Sequence, residues 1–145
     1  MKAFSIQEPD IKEFMHHLFT HDTFINFEVR GVVVHSFTYF EISGETEGGA
    51  YCSCGQLRPY VRNIIKGKEK PRTMKIILAR GNPESLHPNA SALFLNIMYE
   101  GDKINFTTAC SQKKFELNKE VDIEWDRWAA AFFEEKGIIT SPQEL

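Results

Sequence analysis

The chain has 145 residues, a usual length for one domain, of which 42% are hydrophobic and 26% are charged. This composition is typical of a globular protein and excludes an intrinsically disordered one. No apolar run approaches the roughly 20 residues that a membrane-spanning helix requires, and the first ten residues have no signal-peptide core. We therefore expect residues 1–145 to form a single cytoplasmic domain that does not contact a membrane.

The formal net charge is only −3, but the charged residues are unevenly distributed. Residues 58–75 contain seven basic side chains and one acidic one, whereas Glu and Asp dominate residues 119–135. This separation predicts an electrically polar surface. The three cysteines, Cys52, Cys54 and Cys110, are an odd number in a chain with enough apolar residues for a core, which favours free thiols.

The first part of the chain predicts a strand, a helix and a hairpin. Residues 3–7 favour a short strand. Asp10 is suited to cap a helix over residues 11–19, where apolar side chains repeat every three or four positions. Residues 24–43 are rich in β-branched and aromatic side chains, and Gly31 is expected to divide them into two strands.

A second helix is predicted over residues 56–66, after a polar, glycine-rich loop at residues 44–49. Pro59 is tolerated near the start of that helix, and Gly67 is expected to end it in the left-handed conformation. The core-facing residues of this helix are expected to be Leu57, Val61, Ile64 and Ile65.

The second part of the chain predicts four strands before a last helix. The strand-like segments are residues 73–80, 92–99, 103–110 and 114–117. Gly101 and Asp102 are a two-residue turn signal between the second and third of these segments, and residues 111–113 are expected to make the next turn. Residues 81–89 are the longest irregular connection.

The last helix is expected to begin near Asn118, whose side chain is suited to cap it, and to end at Gly137. Its buried face is expected to consist of Val121, Trp125, Trp128, Ala129, Phe132 and Phe133. Residues 138–145 are expected to be a tail. The element order is thus βαββαββββα, which predicts an α+β fold with three helices and a mainly antiparallel sheet.

A group of basic residues on the second helix and in the segment after it is the leading functional candidate. Arg58, Arg62 and Lys66 follow one another at intervals of four, so they share a helix face, and Lys68 and Lys70 extend the group. We call these five residues the basic stripe. Such a cluster neutralises the phosphates of nucleic acid or of a phosphorylated ligand, although a solvated helix face has the same pattern.

Histidines and cysteines supply a second candidate site. His17 and His21 are four residues apart at the end of the first helix, and Cys52 and Cys54 are two residues apart. Thiolates and imidazoles bind metal ions, but this cysteine spacing is too short for a zinc motif, and no glutamate lies between the histidines in the metalloprotease arrangement. Histidine at a helix C-terminus is also explained by the helix dipole. We expect no resident metal or cofactor.

The chain has no nucleophile elbow and no phosphate-binding loop, which favours a non-catalytic binding or accessory protein over an enzyme. Two alternatives stay open. One is a small enzyme whose catalytic groups are brought together by the fold from His17, His21, His35, Cys52 and Cys54. The other is a structural homo-oligomer joined along an exposed strand edge.

Several segments carry a family resemblance, and they are spread over nearly the whole chain. They are residues 10–15, Arg58-Pro59, residues 65–68, Pro71, residues 93–100, Trp125-Asp126 and Phe132-Phe133. These segments resemble an uncharacterised family of short bacterial proteins known mainly from anaerobic Gram-positive species. The resemblance implies a shared fold and no particular activity.

The order of elements also resembles one repeat of a DNA sliding clamp, in which a helix follows the first strand and a second helix follows a hairpin region. The helices of that fold carry basic residues toward DNA, and the resemblance implies this role for Arg58, Arg62 and Lys66. The chain departs from the clamp pattern because it holds one repeat, adds a third long helix and has a first helix that is not basic.

Overall fold

A computed structural model describes residues 1–67 and 71–143. The seven strands are β1 (Ala3–Gln7), β2 (Glu28–His35), β3 (Tyr39–Ser43), β4 (Thr73–Ala79), β5 (Ala90–Tyr99), β6 (Lys103–Gln112) and β7 (Ser141–Gln143). The three α-helices are α1 (Ile11–Phe19), α2 (Cys54–Ile65) and α3 (Glu120–Glu135). The strands form one sheet in the order β3-β2-β4-β5-β6-β1-β7, and all the pairings are antiparallel. The predicted α+β class and its antiparallel sheet are confirmed.

One face of the sheet is covered by the helices. Val32, Ile76, Ile97, Phe106 and Phe4 lie side by side across five strands, and all five are buried. Because side chains alternate between the faces of a strand, this row and its neighbours form the apolar surface on which the helices pack. None of the described helices is both long and apolar enough to cross a bilayer.

Each helix contributes buried side chains to this core. Phe14 of α1 and Phe133 of α3 both contact the ring of Phe106, with centroids 4.8 and 5.1 Å away. Val61 of α2 is buried over the β2 side of the sheet. The core faces predicted for α2 and α3 are confirmed, since their members are buried or pack against the core.

The predicted division at Gly31 is wrong, because Gly31 lies inside β2 beside a bulge that shifts the register after Val29. The β2–β3 hairpin turns instead at residues 36–38, where the Ser36 amide donates to the Thr38 carbonyl over 3.1 Å. The turn predicted at Gly101 and Asp102 is confirmed, and Gly101 has a φ of 92°.

Two helix ends differ from the predictions. Asp10 makes no side-chain cap, and instead its carbonyl accepts from the Phe14 amide over 3.1 Å. The helix α2 begins two residues early because Ser53 and Gln56 form a reciprocal capping box. Gly67 is not left-handed, whereas Gly137 has the expected positive φ of 73° after α3.

The region around the last helix also holds three corrections. Residues 114–117 form no strand, because Asn89 hydrogen bonds to both the amide and the carbonyl of Lys114, at 3.0 and 2.8 Å, where a partner strand would be. Residues 138–143 are not a tail, since Ile138 is buried and Ser141–Gln143 pairs with β1. The N-cap of α3 is Lys119, which makes no side-chain cap, so the cap predicted at Asn118 lies one residue too early. The Asn118 side chain still accepts a hydrogen bond from the Glu120 amide over 3.2 Å.

Candidate anion-binding groove

The helices α1 and α2 enclose a groove with a volume of about 300 Å³ on the surface of the molecule. Its floor is apolar and consists of Met15 and Phe19 from α1 and Ile65 from α2. These three side chains are partly buried and pack against the core, so the floor is held in place by the rest of the fold. The groove therefore offers a fixed apolar surface rather than an open helix face.

Four basic side chains line the groove from two opposite sides. Lys12 and His16 are one turn apart on α1, while Arg62 and Lys66 are one turn apart at the end of α2. Side chains four residues apart share a helix face, so each helix presents a pair of basic groups. Among the described residues, no carboxylate lines this groove. We call Lys12, Arg62 and Lys66 the groove cations.

The groove cations make no ion pair with another described residue. Within residues 1–67 and 71–143, neither Lys12, Arg62 nor Lys66 lies within 4.0 Å of a carboxylate. Lys103, by contrast, is 3.7 Å from Glu100. Unpaired cations around a concave surface attract anions more strongly than cations that are already compensated.

The members of the basic stripe have different surroundings in the structure. Arg62 and Lys66 line the groove, but the Nη2 of Arg58 donates to the His21 carbonyl over 2.6 Å, and Arg58 borders a small apolar cavity under α2. Arg58 thus has a structural contact that helix spacing alone did not indicate. Lys68 and Lys70 lie outside the described residues.

The sequence analysis missed Lys12 and His16 as members of the site. Their spacing of four on the polar side of α1 was the available signal. It was not sufficient, because nothing in the spacing says that α1 and α2 are neighbours over the same sheet face. The two helices meet over β2 and β4, where Leu18 of α1 and Val61 of α2 line one small cavity with sheet residues.

A family model matches residues 12–140, which is most of the chain. The chain belongs to DUF5721, a family of unknown function. This confirms the resemblance to an uncharacterised family. Neither the search of curated proteins nor the search of solved structures found a match. The resemblance to a sliding-clamp repeat is accordingly not confirmed.

The histidines and cysteines of this DUF5721 protein do not form a metal-binding group in the described part of the chain. His17 and His21 have ring centroids 5.5 Å apart, but among the described residues no three His, Cys, Asp or Glu side chains form a group that could hold a metal ion. Cys54 is buried, which raises its pKa, and only the nearby Arg58 charge opposes this shift. His35 lies in β2 and stacks on Tyr39, with centroids 4.1 Å apart.

His17 is the most perturbed histidine of this cluster. It is buried, and its Nδ1 lies 2.6 Å from the Thr23 hydroxyl oxygen. Burial lowers the pKa of His17, the neighbouring His21 and His16 lower it further, and Glu13 opposes the shift. A neutral imidazole that bonds to a hydroxyl joins the end of α1 to the following loop, which is a structural role.

Proposed function

We propose that this protein is a non-catalytic binding protein whose ligand is a small phosphorylated molecule held in the groove between α1 and α2. The observation that carries the proposal is the set of groove cations, which face one another across an apolar floor without a carboxylate among the described lining residues. A phosphomonoester is a dianion with strong acceptor oxygens, so it complements this rim.

The two halves of the groove suit two parts of one ligand. Arg62 has a planar guanidinium that donates two parallel hydrogen bonds to a phosphate, while Lys12 and Lys66 act as point charges. The floor of Met15 and Ile65 suits an apolar group attached to the phosphate. We therefore assign the ligand class as a phosphomonoester with a short apolar body.

The size of the groove favours a small ligand over a nucleic acid duplex. A volume of about 300 Å³ is at the lower end of the range of small-molecule sites. The chain as a whole carries a net charge of −3, which repels an extended polyanion everywhere except at the basic surface. Nucleic acid remains the other source of phosphate that an experiment has to separate.

The lining residues also favour binding over turnover. The rim holds the three groove cations, His16 and Thr20, whose hydroxyl lies 3.4 Å from the His16 Nδ1 at an exposed position. Among the described lining residues there is neither a thiol nor a carboxylate that would act as a nucleophile. We also propose that the protein is cytoplasmic. Phosphorylated metabolites are retained in the cytoplasm, and the three free cysteine thiols suit its reducing conditions.

The test is isothermal titration calorimetry with hexyl phosphate, beside fluorescence anisotropy of a labelled single-stranded oligonucleotide at low and moderate salt. The double variant Arg62→Gln/Lys66→Gln removes two groove cations. The matched control Arg72→Gln/Lys75→Gln removes the same residue types and the same charge from exposed positions outside the groove.

We expect hexyl phosphate to bind to the wild type. The groove variant should bind it with an affinity lower by about tenfold or more, because two charge-assisted contacts are lost. The control variant should bind like the wild type. The proposal is wrong if hexyl phosphate does not bind or if both variants weaken it equally. Salt-sensitive oligonucleotide binding that only the groove variant loses, without hexyl phosphate binding, would replace the small ligand by nucleic acid.

A further inference from the structure

A second cleft lies near the C-terminal end of α3 and, at about 420 Å³, is larger than the α1–α2 groove. Three separate segments form it: the loop between α1 and β2, the residues after β4, and the C-terminal half of α3. Its chemistry is concentrated in Arg80, Trp128, Phe132 and Lys136, with Asp22 and Asn82 at the border. None of these residues lines the α1–α2 groove.

Arg80 is fixed in position before any ligand binds. Its amide donates to the Leu93 carbonyl over 3.0 Å, and its guanidinium lies over the Trp128 ring, 4.6 Å from the centroid. One terminal nitrogen, Nη2, donates to the Ser85 hydroxyl over 3.3 Å. That hydroxyl in turn donates to the Asn82 carbonyl over 2.7 Å, so its lone pairs face Arg80.

The other terminal nitrogen of Arg80, Nη1, differs from Nη2 in its surroundings. Nη1 is buried and meets no hydrogen-bond acceptor in the described part of the chain. Arg80 also has no carboxylate within 4.0 Å there, whereas Arg30 lies 3.6 Å from Glu28. Burial without such compensation lowers the pKa of Arg80. A buried donor without an acceptor costs free energy. Nη1 has almost no exposed surface, so an anion in the cleft would compensate the charge of the guanidinium rather than bond to this nitrogen.

The wall beside Arg80 is aromatic. Trp128 and Phe132 stack on each other with centroids 5.0 Å apart and planes 14° apart, and both are only partly buried. Lys136 lies on the same side, with its Nζ 5.8 Å from the Phe132 centroid. Flat apolar rings next to a guanidinium and an ammonium suit a ligand that has a planar ring and a negative group.

The charge of the cleft selects the kind of anion. Arg80 and Lys136 supply two positive charges, and Asp22 supplies one negative charge, which leaves a formal charge of +1. A monoanionic carboxylate matches this charge, whereas a phosphate dianion exceeds it and meets repulsion from Asp22. We propose that this cleft binds an aromatic carboxylate, whose negative charge pairs with the Arg80 guanidinium and whose ring packs against Trp128 and Phe132.

The experiment is a ¹⁹F NMR titration with 4-fluorobenzoate as the probe. Two comparison ligands test the aromatic ring and the negative charge separately. The first, 4-fluorobenzamide, has the ring without the charge. The second, cyclohexanecarboxylate, is used as a competitor and has the charge without the aromatic ring. We expect 4-fluorobenzoate to bind at least about tenfold more tightly than 4-fluorobenzamide, because the amide lacks the negative charge that pairs with the Arg80 guanidinium. Cyclohexanecarboxylate should compete poorly.

Two variants assign the binding to the cleft. Arg80→Gln should lower the affinity for 4-fluorobenzoate by about tenfold or more. Lys136 is exposed, and Lys136→Gln should lower this affinity by about threefold. Lys75→Gln, an exposed lysine on β4, should change nothing. The proposal is overturned if the benzamide binds as tightly as the benzoate, if no binding occurs, or if Lys136→Gln and Lys75→Gln have the same effect.

Discussion

Arg58 donates a hydrogen bond from Nη2 to the backbone carbonyl of His21 over 2.6 Å. This contact joins α2 to the segment that directly follows α1, although the two residues are 37 positions apart in the chain. A guanidinium that donates to a carbonyl at a partly buried position has a structural function. It explains why one member of the basic stripe does not line the groove while Arg62 and Lys66 do.

The first prediction separates these two kinds of arginine. Arg58→Gln should lower the free energy of unfolding by about 1 kcal/mol, because the exposed His21 carbonyl loses a charged donor that water replaces only in part. Arg62→Gln, one turn further along the helix, should change it by no more than about 0.5 kcal/mol. Urea unfolding followed by circular dichroism measures both values. Equal effects of the two substitutions would contradict the structural role of Arg58.

The second prediction concerns the pH dependence of stability through His17. Its pKa in the folded protein is lowered by burial, then by His21 and His16, with Glu13 opposing, relative to the ordinary value of 6.5. The unfolded chain therefore binds more protons than the folded protein in the window below pH 6.5. The His17 contribution to stability is fully present above pH 6.5 and is lost as the pH falls through the folded pKa.

This loss is measured as the difference in the free energy of unfolding between pH 7.5 and pH 5. His17→Gln should reduce this difference, because the buried imidazole that resists protonation is gone. The control His35→Gln removes a histidine from β2 without touching the Thr23 contact. The attribution to His17 fails if the free energy of unfolding has the same pH dependence in His17→Gln and His35→Gln.

Much of this fold could be predicted from local sequence signals. The amphipathic repeat of α1 and the turn at Gly101 and Asp102 depend on near neighbours in the chain, and both are confirmed. Gly31 misled the prediction because a glycine marks either a turn or a bulge, and only the pairing of β2 with β4 decides between them.

The candidate site was less predictable than the fold, for a related reason. Lys12 and His16 come from α1, whereas Arg62 and Lys66 come from α2, and helix spacing does not reveal which helices are adjacent. Arg80 and Trp128 are a second example, since 48 positions separate them in the sequence and the guanidinium lies over the ring only after β4 and α3 have packed. The sequence analysis treated Trp128 as a core residue, and the structure shows that its ring also lies against the Arg80 guanidinium.

The third prediction concerns the reactivity of Cys110. Its Sγ donates to the Asp122 carboxylate over 3.1 Å. Burial, this hydrogen bond and the charges of Asp122 and Asp126 raise the pKa of the thiol to about 12 against a single opposing contribution from the N-terminal ammonium. Because the thiolate is the nucleophile, alkylation by iodoacetamide at pH 8 should be about a thousandfold slower than for a thiol with the ordinary value of 9.0.

The measurement uses the Cys52→Ser/Cys54→Ser background, in which Cys110 is the one remaining thiol. Adding Asp122→Asn removes the negative charge and should accelerate alkylation by about tenfold or more. Adding Glu124→Gln, an exposed acid on the same helix, should leave the rate unchanged. Equal rates with Asn and Asp at position 122 would show that burial alone protects the thiol.

The fourth prediction compares two adjacent isoleucines after α3. Ile138 is buried, with 7% of its surface exposed, and belongs to the core, whereas Ile139 is 66% exposed. Gly137, with a φ of 73°, turns the chain back so that Ile138 enters the core and residues 141–143 reach β1. Ile138→Ala should therefore cost about 2–4 kcal/mol, and Ile139→Ala less than about 0.5 kcal/mol.

Urea unfolding of the two variants decides whether this segment belongs to the fold. The same side chain is removed in each, so differences in composition or in the unfolded chain cancel to a good approximation. A cost for Ile138→Ala as small as that for Ile139→Ala would mean that residues 138–143 do not contribute to stability. The larger cost means that β7 and the core residue before it hold the sheet edge next to β1, and that the buried Ile138 connects this edge to α3.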